Sequence, residues 1–257
     1  MVYCNLIYTI WGVSFMKRQS GMLMHVSSLW GDYSIGTFGK NAFEFIDFLV
    51  DCGFSVWQVL PFTVTDEYNS PYKSFSAFGG NPYFVDPEIL YEKGYISAAD
   101  LDGCRQNTPY SAEYKRLAAE RMALLRKAYN NCTETDKVEA FIAANPRLDA
   151  FCRFMTLREQ NGLERWQEWK SEEITDLETL GMWKFIQYEF FTQRAKIKEY
   201  ANSRGVSIVG DIPIYVSDDS CDLWENKDSY ISAMEASPMG TSIQIITDLL
   251  EELVDQK

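Results

Sequence analysis

Met22-Leu23-Met24-His25-Val26 and Val56-Trp57-Gln58-Val59-Leu60 are short apolar runs closed by Gly, Ser or Pro, and between them Phe43, Ile46, Leu49 and Val50 recur at helical spacing. Short apolar runs bounded by turn formers read as strands, and the 3.6-residue recurrence reads as a helix laid over them. The unit predicted is βαβ. A related pattern closes the second half of the chain: Trp183, Ile186, Phe190, the alkyl stem of Gln193, Ile197 and Tyr200 form a helical stripe, which by default is core packing. Arg204-Gly205 then stops the helix, and Val206-Ser207-Ile208-Val209 reads as a buried strand.

Between these units, residues 98–180 hold helical patterns at Tyr114–Tyr129 and Asp136–Ala144 and no strand pattern, so they predict an inserted helical subdomain. Strand-helix-strand order favours a parallel α/β sheet, and 257 residues is a typical length for a (β/α)₈ barrel. Such a barrel needs eight strands, whereas the chain offers only the candidates at Met22, Val56 and Val206. The fold class expected is therefore α/β: a partial (β/α)₈ barrel, first strands only, with a helical insertion.

With 46% hydrophobic and 15% aromatic residues the chain has ample material for a core. Its 24 Lys and Arg against 37 Asp and Glu leave a net charge of -13, which repels phosphate backbones and anionic headgroups; neither nucleic acid nor membrane is an expected partner. The six cysteines stand singly, without a Cys-x-x-Cys pair, and predict reduced thiols in a cytoplasmic setting. The single histidine, His25, would have to serve any histidine-based triad or metal site. Residues 1–15 are apolar but lack a basic leader and a cleavage site, and they are too short to span a bilayer; a start at Met16 would make them a non-native upstream extension.

Three stretches could carry chemistry. Residues 69–83, Asn-Ser-Pro-Tyr-Lys-Ser-Phe-Ser-Ala-Phe-Gly-Gly-Asn-Pro-Tyr, follow the second strand, where a barrel places active-site loops. Aromatic faces for the C–H faces of sugar rings, together with Ser and Asn hydrogen-bonding groups, suit a carbohydrate; an ordinary loop covering the barrel end fits the same composition. Val209-Gly210-Asp211-Ile212-Pro213 sets a carboxylate at the end of a strand expected to be buried, where it needs a ligand, water or a basic partner, or else receives loop N–H groups and orders a turn. Asp218-Asp219-Ser220-Cys221-Asp222 imitates the start of a calcium loop but lacks the glycine and glutamate at their spacings, so helix capping before Leu223-Trp224 is the better reading. His25, placed inside an apolar strand, reads first as a hydrogen-bonded core residue.

Ser20-Gly21-Met22-Leu23-Met24-His25-Val26-Ser27-Ser28-Leu29 with Tyr33–Gly39, then Trp57-Gln58-Val59-Leu60-Pro61, Ser70-Pro71-Tyr72 through Asn81-Pro82-Tyr83, and Gly210-Asp211-Ile212-Pro213-Ile214-Tyr215-Val216 with Asp222-Leu223-Trp224 occur in the order found in the 4-α-glucanotransferases, the amylomaltase or disproportionating-enzyme family. The resemblance runs from Met16 to about Asp228, with only the helical stretch before Trp183 matching loosely. It implies a barrel enzyme that moves α-1,4-glucan segments between maltooligosaccharides by retaining double displacement, with two carboxyl groups about 5–5.5 Å apart and no cofactor. It also implies substrate-binding positions: Ser70 and Tyr72 in the glucan groove, Asp211 beside the donor and acceptor sugars, and His25 in the first-strand motif.

The family's Arg-x-Asp-His, Ala-Glu-Asp-Leu-Gly and His-Asp-Asn segments, which carry its catalytic carboxylates, are not found among these residues, so no catalytic residue is assigned. The division expected is an extension at 1–15, the start of the barrel with the groove loop at 16–97, the helical insertion at 98–180, a barrel helix and strand at 181–230, and a non-family tail at 231–257 that includes an amphipathic segment, Ile245–Val254. Expectations for the whole are a transferase by family, inactive in this chain, or alternatively a non-catalytic glucan-binding remnant or a truncated or frame-shifted gene product.

Overall fold

The structure is a computed structural model that describes residues 18–65, 68–211 and 217–227. The upstream extension, the Ile212–Val216 part of the strand-end motif and the tail with its amphipathic segment lie outside the described residues.

Three parallel strands, β1 (Gly21–Leu23), β2 (Val56–Gln58) and β3 (Ser207–Val209), form one sheet in the order β1-β2-β3. Met22 and Ile208 flank Trp57 in register, and the amides of Met24 and Val59 carry the ladder one step further, to Gln58 O at 3.0 Å and Val209 O at 2.9 Å. The strands are shorter than the apolar runs predict, ending at Leu23 in the first run and at Gln58 in the second and beginning at Ser207 in the third. Helix α1 (Lys40–Asp51) is the predicted crossover; it buries Phe45, Ile46 and Leu49 toward the core, with Phe45 set edge-on to Trp57 at 5.1 Å.

Helices α2 (Pro87–Glu92), α3 (Ala98–Gly103), α4 (Tyr114–Asn130), α5 (Thr135–Ala143) and α6 (Pro146–Gln160) follow, and α7 (Leu177–Ser203) leads back to β3. The predicted ends of α4 and α5 agree to within one residue, since their apolar stripes coincide with the buried Leu117, Leu124, Leu125 and Val138, Ile142. Helix α7 begins before Trp183, at Leu177, where the Asp176 carboxylate accepts the Thr179 amide and caps it. It ends where Gly205 takes φ +77°, the left-handed conformation that glycine adopts without steric cost.

Helix α7 packs against both the sheet and the helices of residues 98–160. Near its start Phe185 meets Tyr129 and Trp183 meets Phe151; near its end Tyr200 packs on Phe43 and donates to Asp47 at 2.7 Å. One continuous apolar core therefore joins the sheet to the helices of residues 98–160. Two buried polar clusters lock it. Arg121, on α4, donates to the carbonyls of Tyr33 and Val85, and Glu189, fully buried on α7, pairs with Lys93 at 2.6 Å. A buried charge persists only when partnered in this way.

One face of the sheet is covered by α1 and α7, and the other is not. Leu23 is 55% exposed and Val209 45%, and Gln58 between them is also exposed. The expectation of a buried third strand is therefore corrected: Val206 is buried and Ile208 half-buried, whereas Ser207 and Val209 face away from the helices. Alternation along the strand places successive residues on opposite faces, and one face has no cover among the described residues. None of the described helices is long and apolar enough to cross a membrane.

Candidate functional site

The loop from Asn69 to Tyr83 leaves the carboxyl end of β2 and is shaped by its own small polar residues. Isolated antiparallel bridges pair Thr63 with Gly80 and Thr65 with Ser74. Ser74 Oγ donates to Val64 O at 2.7 Å, and Ser76 Oγ accepts the Phe78 amide at 3.0 Å, so the hydroxyls supply the partners that an irregular backbone lacks. Helix α7 grips the far end: Gln187 accepts the Gly80 amide at 2.8 Å and donates to its carbonyl at 3.0 Å. Gly80 must be glycine here, because a Cβ would lie 2.3 Å from the Phe190 ring.

Tyr72 stands at the exposed turn of this loop, 43% accessible, and its hydroxyl donates to Asp211 Oδ2 at 2.8 Å across 139 residues of sequence. That hydrogen bond raises the phenol's pKa, because the carboxylate holds its proton. Asp211 itself is exposed, not enclosed at the end of a buried strand as expected, since β3 has helical cover on only one of its two faces. Behind the pair lies a cavity of about 180 Å³ whose wall includes Trp57, Phe62, Arg194, Lys198 and Asp211. Ser70 is half-buried at the start of the same turn, where its carbonyl accepts the Lys73 amide at 3.3 Å.

His25 is not inside a strand, because β1 ends at Leu23. It precedes a short 3₁₀ turn, Val26–Ser28, at the carboxyl end of β1. Its ring stacks on Phe62 at 5.7 Å and meets the edge of Phe84 at 5.3 Å. Burial lowers its pKa to about 4, so the imidazole is neutral at pH 7. Nδ1 has no hydrogen-bond partner among the described residues, which departs from the hydrogen-bonded core role expected. Phe62 is the link between the two halves of the site, touching His25 on one side and lining the cavity of Asp211 on the other.

The acidic run 218–222 works as capping and fastening. Ser220 Oγ accepts the Leu223 amide at 3.3 Å and caps α8 (Cys221–Glu225). Asp219 pairs with Arg158 at 2.7 Å, and buried Asp222 accepts the Ala77 amide at 2.9 Å. No group of carboxylate, thiol or imidazole ligands among the described residues could hold a metal ion. The grip of Asp222 and Gln187 on the aromatic loop carries no local sequence signal, since each reaches its partner across more than 100 residues.

Residues 24–241 match the sequence profile of the 4-alpha-glucanotransferase family. The 4-alpha-glucanotransferase of Clostridium butyricum is 42% identical over 226 residues, covering 81% of this chain and 46% of that protein. That of Thermus thermophilus is 34% identical over 242 residues, covering 87% and 48%. The amylomaltase of Streptococcus agalactiae, solved in complex with acarbose, superposes with a TM-score of 0.74 at 36% identity, covering 81% of this chain and 46% of that one. The amylomaltase of Corynebacterium glutamicum shares the fold, with a TM-score of 0.63 at 15% identity. The chain spans about half the length of the curated relatives it matches. By its sequence profile, its relatives and its fold, the chain belongs to the 4-alpha-glucanotransferase family.

Proposed function

We propose that the Tyr72–Asp211 groove binds α-1,4-glucans, and that the chain provides the acceptor- and donor-binding part of a retaining 4-α-glucanotransferase. The observation that carries this reading is the 2.8 Å contact between an exposed aromatic side chain and a carboxylate at the carboxyl ends of parallel strands. An aromatic face covers the C–H side of a glucose ring, while a carboxylate accepts from sugar hydroxyls. Ser70 belongs to the same turn, and neutral His25 supports the floor of the site through Phe62.

The sheet is read as the opening strands of a (β/α)₈ barrel. Its strands are parallel and adjacent, helices α1 and α7 cover one face, and the bare face carrying Leu23, Gln58 and Val209 corresponds to a barrel interior. The proposed division keeps the barrel start at 16–97, a helical insertion at 98–180 and a barrel helix and strand at 181–230. Retaining glucan transfer needs a nucleophile and an acid/base carboxyl about 5–5.5 Å apart. Residues 1–257 contain none of the family's Arg-x-Asp-His, Ala-Glu-Asp-Leu-Gly or His-Asp-Asn segments, so binding without turnover is the behaviour proposed for this chain alone.

The experiment is a calorimetric titration of the 257-residue chain with maltoheptaose, alongside incubation with maltotriose followed by chromatography. Binding that Tyr72→Ala weakens, with no glucose or maltopentaose above a protein-free blank, supports the reading. Turnover of maltotriose would refute the proposed inactivity, and the absence of binding would refute the groove.

A further inference from the structure

We propose that Asp222 is a positioning residue for the groove: from helix α8 it holds the backbone of the aromatic loop and so sets Tyr72 against Asp211. The inference rests on the glucan reading of the Tyr72–Asp211 groove for its functional meaning, but the clamp itself is a matter of geometry. Asp222 is 7% exposed, and no ion pair among the described residues includes it. Its carboxylate instead accepts the Ala77 amide at 2.9 Å, bridging 145 residues. The neighbouring amide of Cys221 donates to Phe75 O at 2.8 Å, so consecutive residues of α8 take hold of the loop at alternate positions.

A second grip lies beside the first. The Arg158 guanidinium rests 4.4 Å from the centre of the Phe75 ring while pairing with Asp219 at 2.7 Å, so the ring is tied to the segment that opens α8. With Gln187 on Gly80, the loop is fastened at Phe75, Ala77 and Gly80, and Tyr72 lies just outside the first of these points. Asp211 stands eleven positions before Asp222 in the sequence. One stretch of chain thus carries the partner of Tyr72 and also anchors the loop that presents Tyr72.

A carboxylate is a costly choice for this duty. Burial pushes Asp222 up to about 6, against the opposing pull of the Ala77 amide, the Arg147 charge and the Ser76 hydroxyl. Glu225 and Cys221 are the acidic groups on its own helix that face it. An apolar residue in its place would not accept the Ala77 amide, and an orphaned buried amide loosens the loop. A group that weakens the fold while fixing a loop beside a groove serves placement more than stability.

The test compares Asp222→Ala, Asp222→Leu and Asp222→Asn with the unaltered chain and with Tyr72→Ala, by maltoheptaose titration and by hydrogen exchange of residues 70–80 against residues 177–203. Loss of the acceptor in Asp222→Ala should speed exchange in 70–80 by about tenfold or more, leave 177–203 nearly unchanged, and weaken maltoheptaose binding about tenfold. Asp222→Leu fills the volume without an acceptor and should behave the same way, which keeps the test decisive should the alanine variant fail to fold. Asp222→Asn keeps an acceptor oxygen, so exchange in 70–80 should be no faster than in the unaltered chain and maltoheptaose affinity should stay within about threefold. Unchanged exchange in 70–80, equal acceleration in both segments, or an asparagine variant as impaired as alanine would each overturn the proposal. Should the unaltered chain not bind maltoheptaose at all, the glucan reading fails, while the exchange pattern still decides whether Asp222 holds the loop.

Discussion

Asp222→Asn should make the chain more stable above pH 6 and leave it unchanged near pH 4. In the folded chain burial lifts the carboxyl from 3.8 to about 6. The folded form therefore holds its proton more tightly than the unfolded form, and stability falls as pH rises from the unfolded value through the folded one. A shift of about two units corresponds to ~3 kcal/mol, present in full below about pH 4 and lost by about pH 7. Protonated aspartate and asparagine have nearly the same shape, and each offers Ala77 a carbonyl acceptor, so the two proteins should match in acid. Above pH 6 the variant escapes the cost of a buried charge and should gain about 1–3 kcal/mol, the lower end allowing for local relaxation. His25 acts in the opposite sense, since its pKa is lowered to about 4 and its contribution grows as pH rises from there toward its ordinary value. It is present in both proteins and cancels in the difference. Urea unfolding followed by tryptophan fluorescence, at pH values from about 4 to 7.5 with matched denaturant slopes, measures that difference. A difference that does not change with pH, or an asparagine variant less stable than the parent at neutral pH, would refute the reasoning.

Other substitutions test the remaining contacts. Tyr72→Phe keeps the ring and removes the hydroxyl that reaches Asp211, so maltoheptaose affinity should fall about threefold, against about tenfold for Tyr72→Ala, as read by calorimetry. Lys93→Met removes the cation 2.6 Å from fully buried Glu189 and should cost about 3–5 kcal/mol in denaturant unfolding, much of it regained when Glu189→Gln is added. Gly80→Ala forces a Cβ against the Phe190 ring and should destabilise by about 1–3 kcal/mol, with a lower thermal midpoint as the readout.

Sequence alone determined what depends on near neighbours. Apolar spacing marked α1, α4, α5 and the inward stripe of α7, because a helix buries one face at a period of 3.6 residues whatever covers that face. It also marked three parallel strands and the motifs that identify the family, since strand cores and loop chemistry are written in contiguous residues. Tertiary structure decided the rest. Strand β3 looked buried, yet its Val209 is exposed, because the exposure of a strand face depends on what packs against it. His25 looked like a strand residue with a partner, yet the ladder ends before it and Nδ1 is left without one. Tyr72 meets Asp211, and Asp222 meets Ala77, only because the crossovers through α1 and α7 bring the carboxyl ends of the strands together. Contacts across more than 100 residues leave no periodicity in the chain that makes them; they arise when strand register and helix packing place two loops at the same end of one sheet.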